Sequence, residues 1–390
     1  MPRSAEPSGR PVAPPPPGWT SSPPGGPSPP SAHADNGGDG GFCADPWLTG
    51  LVLLGLAGSS RAADVVASSS RWLTGAVRPE GHWDLMPLDL TWSQFAARAL
   101  LDAGPPWPDR LAPTTAMFTR SQGRHGSELL RYPPGGWGHV AASWPFSLET
   151  AEIAAVLVRT NGAGDPAVTA AVRWLWAQQD RAGSWSLTVR NSRPGGFGPC
   201  PYVTAQVVLA LLDTGVAPTD ARIRRAADWV TARREPDGSV EALWYRGRVP
   251  GTSALLEMLG RLGRGTGEPA RAAAAHLYGT QNPDGSWGDG AAPGTVEETA
   301  WALRALSTAA ARHPVPDAGR STARGAATAY LLDTQRPDGS WPGGPVNDHV
   351  RACYRFADPV IATGLALRAL AAAREDARAT TPAVTHEEYR

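Results

Sequence analysis

Two stretches of this chain, Gln281-Asn-Pro-Asp-Gly-Ser-Trp287 and Gln335-Arg-Pro-Asp-Gly-Ser-Trp341, are nearly one sequence written twice. Worn copies end at Trp83 (Arg78-Pro-Glu-Gly-His-Trp), Trp137 (Pro134-Gly-Gly-Trp), Trp185 (Gln179-Asp-Arg-Ala-Gly-Ser-Trp) and Val240 (Glu235-Pro-Asp-Gly-Ser-Val). Successive marks lie 54, 48, 55, 47 and 54 residues apart, a period that suits one pair of helices per repeat. The Asp-Gly step supplies a tight turn, because glycine takes positive φ without strain.

The segments around the marks divide into two kinds. Before a mark, as in 167–179 and 322–335, Ala, Leu and Arg recur with apolar residues three and four apart, the pattern of a helix with one wet face. After a mark comes a polar or Gly/Pro-rich stretch and then a more uniformly apolar helix, as in 91–101, 148–160, 204–212, 299–309 and 361–372. Half-wet helices suit an outer ring and apolar ones an inner ring. The expected fold is therefore all-α: a single α6/α6 toroid of six inner and six outer helices. The repeated Gln and Trp fit structural roles, Gln on unpaired backbone groups at a helix end and Trp in the seam between repeats.

Composition narrows the function. The 390 residues, 42% hydrophobic, can bury one large core. The 36 basic and 36 acidic residues cancel, so no basic field invites nucleic acid. Every basic residue is Arg, which excludes Schiff-base and Walker lysines and fits a GC-rich bacterial genome. Cys43, Cys200 and Cys353 make no zinc pattern or disulfide framework, consistent with a reducing cytoplasm. No metal or cofactor is expected. Residues 1–44 read as a disordered Pro/Gly/Ser-rich tail, 45–376 as the toroid, and 377–390 as a polar tail. The apolar run 47–57 is about half the length of a membrane span. It reads as a helix on the body, with peripheral membrane contact as the alternative.

The marks resemble the QW motifs of squalene-hopene cyclases and other class II terpene cyclases, members of the prenyltransferase and squalene-cyclase repeat superfamily. The likeness covers about residues 60–375. It implies an acid-initiated carbocation cyclisation of a polyprenyl or meroterpenoid substrate, a hydrophobic isoprenoid small molecule. The family's general acid lies in an Asp-x-Asp-Asp-Thr-Ala segment that opens an inner helix after a Gly-Gly-Trp mark. Here Gly135-Gly-Trp137 is followed by Phe146-Ser147-Leu148-Glu149-Thr150-Ala151. Leu148 stands in the donor's place, and Glu149 alone keeps a carboxylate.

Glu149 is accordingly the first candidate acid, against the plain role of a first-turn Glu on a helix dipole. Glu297 and Glu298, in Thr295-Val-Glu-Glu-Thr-Ala300, form the second; adjacent carboxylates can hold a proton between them, but Thr295 with Glu298 also spells a capping box. Carbocations are stabilised by ring faces that offer no base. Trp92, Trp144, Phe146, Tyr202, Trp244, Trp301 and Tyr354 are the candidate lining. Two other readings stay open: a catalytically silent toroid that binds an isoprenoid or a partner protein, and a zinc prenyltransferase-like protein using Asp348, His349 and Cys353.

Overall fold

The computed structural model describes residues 40–42, 46–77, 88–141, 143–188, 190, 192, 197–290, 293–313, 318–350 and 354–380. Six helices form the inner ring: α3 (Asp89–Ala103), α5 (Ser147–Asn161), α7 (Pro201–Asp213), α9 (Val249–Arg261), α11 (Val296–Arg312) and α13 (Pro359–Thr380). Each packs on the next, and α13 packs back on α3, so the ring closes. Between them in sequence run the outer helices α4 (Ala112–Ser121), α6 (Pro166–Gln178), α8 (Ala221–Thr231), α10 (Glu268–Gly279) and α12 (Ala318–Thr334). A sixth outer-type helix, α2 (Ala63–Gly75), precedes α3 and pairs with α1 (Pro46–Leu56). The expected α/α toroid is the observed fold. A short hairpin, β1 (Asn347–Val350) with β2 (Tyr354–Phe356), sits between the last mark and α13.

The two helix kinds follow from burial. Residues 201–211 of α7 are all buried, whereas α8 buries Ile223, Ala226, Ala227, Trp229 and Val230 and leaves Arg222, Arg224 and Arg225 on its other face. Asp165 and Asp220 cap α6 and α8 by accepting from the backbone N–H two residues on.

Each mark among the described residues is a hydrogen-bonded clamp. The indole N–H of Trp137, Trp185, Trp287 and Trp341 donates over 2.7 Å to a carbonyl at the end of the preceding outer helix: Phe118, Leu175, Leu277 and Leu331. Burying such an indole removes about 200 Å² of largely apolar surface, roughly 5 kcal/mol before ordering costs. The backbone N–H of the same residue donates to a threonine in the following inner helix: Thr150, Thr204, Thr299 and Thr363. Val240 keeps that bond, to Thr252, without the indole. Threonine on the inner helix is thus as much a part of the repeat as Trp.

Gln does more than finish its own helix. Gln179 Nε2 donates to Gly183 O (2.9 Å) and to Arg222 O of the next outer helix (3.1 Å), and Gln281 does the same to Gly285 and Ala323. The mark at Trp137 has its Gln too: Gln122, separated from the turn by an insertion, bonds Gly135 O and Ala167 O. The turn glycine completes the joint. Gly285 has φ 86°, and a Cβ there would stand 2.5 Å from Ala326 O of α12.

The pattern reaches further toward the N-terminus than expected. Gly40 has φ 102° and lies against Ser68 O of α2, while Phe42 N–H donates to Thr49 of α1. Residues 40–42 therefore act as a seventh, degenerate mark, holding α1 and α2 as a repeat of their own. At the ring's closing seam, by contrast, Gly339 shares the φ of Gly285 but has open space beside it, and Gln335 bonds Gly339 O. A groove of about 490 Å³ lies there between α3 and α13. At the other end, α13 runs through the start of the expected polar tail to Thr380, where Arg324 of α12 holds Asp376 at 2.8 Å. The mark at Trp83, Cys43 and residues 1–39 and 381–390 lie outside the described residues.

Candidate active site

The clamp at Trp137 sets the start of α5. Phe146 N–H returns to Trp137 O (2.8 Å), and Leu90 N–H of α3 donates to His139 O (3.0 Å), pinning the intervening loop between the two inner helices. Glu149 enters in the first turn of α5 and is 3% exposed. Its Oε1 lies 2.8 Å from His139 Nδ1 and accepts from Thr91 Oγ1 of α3 at 3.1 Å. The His139 ring stacks on Phe146, centroids 4.1 Å apart, which fixes its orientation. Glu149 Oε2 is buried and accepts no hydrogen bond. Burial alone would raise the Glu149 pKa. The His139 ring, joined by backbone and Thr91 donors, outweighs it and holds the carboxyl below the usual glutamate value.

Glu149 lines a cavity of about 230 Å³ enclosed by α3, α5, α13 and the loops beside them. Its apolar wall includes Phe95, Phe146, Leu148, Phe197, Trp244 and Tyr245. Phe197 meets Trp244 edge-on at 5.1 Å, and Tyr245 meets Tyr202 and Trp301 edge-on, each at 4.9 Å. Burial pushes the Tyr202 hydroxyl up to about 12, so it stays protonated. Asn347 and Asp348 from β1 complete the polar part, with Asp348 engaged by Arg355 at 2.8 Å.

Among the residues singled out in the sequence, Glu149, Phe146 and Trp244 line this cavity. Tyr202 and Trp301 line a smaller pocket one turn further along the inner helices. Trp92 packs half-buried against the core, and Trp144 is 53% exposed; neither lines the cavity. The side chains of Tyr354 and His349, and Cys353 altogether, lie outside the described residues.

Glu297 and Glu298 are fully buried away from the cavity. Gly344 N–H donates to both Glu297 oxygens, at 2.9 and 3.1 Å, and burial raises this carboxyl to about 7. Glu298 is held by Arg246 and by Thr295 Oγ1 (2.8 Å), and Thr295 in turn accepts from Glu298 N–H, the capping geometry. These contacts tie α11 to the neighbouring marks.

His139, Thr91, Gln94 and Asn347 are polar lining residues that the sequence reading passed over. His139 carries one signal in the sequence, its place between a Gly-Gly-Trp mark and an inner helix that opens with a carboxylate.

Below the cavity the inner helices carry ion pairs. Arg98 contacts Glu152, Arg304 holds Glu257 at 2.7 Å, and Arg368 holds Asp102 at 2.8 Å. Burial, together with neighbouring Arg368 and Arg304, lowers the Arg98 pKa to about 9. Each charge thus depends on its partner, because an unpaired buried ion is costly. Among the described residues, no helix is long and apolar enough to cross a membrane, and no cluster of three or more His, Cys, Asp or Glu could hold a metal ion.

Comparison with known proteins agrees with this architecture. Residues 197–349 match the family model of the squalene-hopene cyclase C-terminal domain. A drimenyl diphosphate synthase of Streptomyces showdoensis is 29% identical over 76% of this chain and 53% of its own. A squalene–hopene cyclase of Bradyrhizobium diazoefficiens is 28% identical over 53% of this chain and 36% of its own. The chain thus spans about a third to a half of the length of these relatives. Among solved structures, the type II terpene cyclase MstE from Scytonema superposes with a TM-score of 0.58 at 19% identity, covering 73% of this chain and 88% of that one. The ent-copalyl diphosphate synthase of Streptomyces platensis gives 0.55 at 23%, covering 79% and 55%. The closed double ring, its recurring Gln–Gly–Trp clamp and these partial matches make the chain similar to class II terpene cyclases.

Proposed function

We propose that this chain is a cyclase that protonates an alkene of a short prenyl substrate, with Glu149 as the acid. One observation carries the reading: a buried carboxyl, anchored at Oε1 by His139 and Thr91 and free at Oε2, on the wall of an aromatic cavity. Alkene protonation requires an acid whose conjugate base is stabilised before the proton leaves. The anchored oxygen provides that stabilisation, and Oε2 carries the proton. Thr91 and His139 keep the carboxyl in place as charge develops on it. The faces of Phe146, Trp244 and Tyr245 then stabilise the cation as it migrates, without a lone pair basic enough to quench it.

At about 230 Å³ the cavity falls below the roughly 300 Å³ lower bound of ordinary ligand sites, which favours a farnesyl-length chain over a triterpene. The similarity to a drimenyl diphosphate synthase over three quarters of the chain supports the same size class. The test is incubation with farnesyl diphosphate, geranylgeranyl diphosphate, squalene and a prenylated hydroxybenzoate, with mass spectrometry of the products. Cyclic products from the farnesyl substrate in preference to squalene support the reading. Saturable binding with no conversion of any substrate would show a silent isoprenoid-binding toroid, the role that Leu148 in the donor's usual place would favour.

A further inference from the structure

Two glutamines stand at the end of α6, and only one belongs to the repeat. Gln179 is the clamp residue, whereas the positions equivalent to Gln178 at the two clean marks are Thr280 and Thr334. Gln178 is 1% exposed and joins two loops far apart in sequence. Its Nε2 donates to Arg131 O (3.3 Å), and its Oε1 accepts from Arg190 N–H (2.9 Å). Arg131 is held at φ 56°, the one positive φ outside glycine among the described residues, a conformation that L side chains disfavour. Gln179 holds Arg222 O of α8, and Gly183 lets the turn close on α8, where a Cβ would stand 2.9 Å from Arg225 O. The four arginines placed in this way, together with Arg181, line an open pocket of about 960 Å³.

We propose, independently of the cyclase reading, that this pocket binds a soluble anion carrying two or more phosphate groups. It is a second site, since the pocket and the Glu149 cavity share no lining residue. Five arginines line one space in a chain whose net charge is zero. Arg222 lies over Trp176, 3.8 Å from the ring centroid, and is paired with Asp220 at 2.8 Å. Among the described residues, no carboxylate pairs with Arg131, Arg181, Arg190 or Arg225. Asp180, the one acid in the lining, is turned onto its own loop, accepting from the N–H groups of Gly183 and Ser184, each at 2.9 Å. Elsewhere, half-buried arginines such as Arg261 and Arg324 have carboxylate partners. Counting Asp180 and Asp220 against the five arginines leaves three positive charges to be balanced. A lone carboxylate or a sulfate carries too little charge for that. A di- or triphosphate carries enough, and its oxygens match the planar fork of each guanidinium. A concave pocket suits a compact anion, whereas a flat bilayer would reach only its rim.

The test is calorimetric titration of the whole chain with sodium triphosphate, and with sodium sulfate at equal ionic strength. It is repeated on Arg190→Gln/Arg225→Gln and on Arg61→Gln/Arg71→Gln, which removes the same charge outside the pocket. All four side chains are exposed, so both variants should fold, as circular dichroism would confirm. The expected result is one triphosphate per chain, bound at least about tenfold more tightly than sulfate. Its affinity should fall at least about tenfold in the pocket variant and stay within about threefold in the other. No saturable binding of triphosphate overturns the proposal. An equal loss in both variants also overturns it, because overall charge would then be the attractant. So does no loss in either, which would put the anion at another site. The last arm uses phosphatidylglycerol vesicles. Sedimentation with them, lost in Arg190→Gln/Arg225→Gln, by a chain that binds no triphosphate would replace the anion site with a membrane-facing patch.

Discussion

Replacing His139 by Phe isolates what the histidine does for Glu149. The ring would still stack on Phe146, but Glu149 Oε1 would keep Thr91 as its one side-chain donor. A hydrogen bond to a charged group is worth about 1.5–3 kcal/mol, or about one to two pKa units at 1.36 kcal/mol per unit. With burial opposed only by Thr91 and the backbone donors, the Glu149 pKa rises by about that amount. Two effects on rate follow, with opposite signs at neutral pH. The protonated fraction grows, so the descending limb of the pH–rate profile moves up by one to two units. The acid also weakens, so the low-pH plateau falls about three- to tenfold if proton transfer is half complete in the transition state. The assay is kcat for farnesyl diphosphate cyclisation from pH 4 to 8, beside circular dichroism to confirm folding. A descending limb that stays in place, at any plateau height, would refute the assignment of His139 as the partner that strengthens Glu149.

Three stability predictions follow from the clamps. Gly285 and Gly339 both have φ 86°, but a Cβ at Gly285 meets Ala326 O and one at Gly339 meets nothing; Gly285→Ala should therefore cost more than Gly339→Ala by about 1 kcal/mol or more in chemical denaturation, and equal costs would contradict the joint described. Thr299→Val keeps shape but leaves the buried Trp287 N–H without its acceptor, a loss of about 1–3 kcal/mol seen as a Tm drop of a few degrees. Burial raises the Glu297 pKa to about 7, above its unfolded value. Its contribution is therefore complete below about pH 4.5 and is lost as pH rises toward 7, up to about 3 kcal/mol. Glu297→Gln should flatten that part of the pH–stability curve, and an unchanged slope between pH 5 and 8 would count against it.

The fold was legible because its determinant is periodic and local. Asp-Gly-Ser-Trp demands a turn, and the flanking segments show which helix is wet. What escaped were partners separated from the mark by insertions. Gln122 is the clamp glutamine of the Trp137 mark, but twelve residues stand between it and Gly135. Glu149 and the Glu297–Glu298 pair look alike in sequence, each opening an inner helix after a mark. They differ through groups that the sequence does not place beside them: Arg246 and Gly344 close around the pair, while His139 and Thr91 leave one oxygen of Glu149 free. Trp144 and Phe146 are two residues apart, yet one is exposed and the other lines the cavity: Trp144 follows the turn closed by Ser143 N–H on Val140 O, while Phe146, just before α5, is drawn in by its N–H bond to Trp137 O. The ion-paired floor also had no local sign, since Arg98, Glu152, Arg304 and Glu257 come together only when the ring closes.

The most direct test of the central claim is turnover of farnesyl diphosphate by Glu149→Gln beside the unaltered chain, with substrate affinity measured on both by calorimetry. Gln preserves the volume and can accept from Thr91, but it has no acidic proton. The account predicts unchanged affinity within about threefold and a rate lower by at least about a hundredfold. A Gln variant that cyclises at the rate of the unaltered chain would contradict it and move the acid elsewhere.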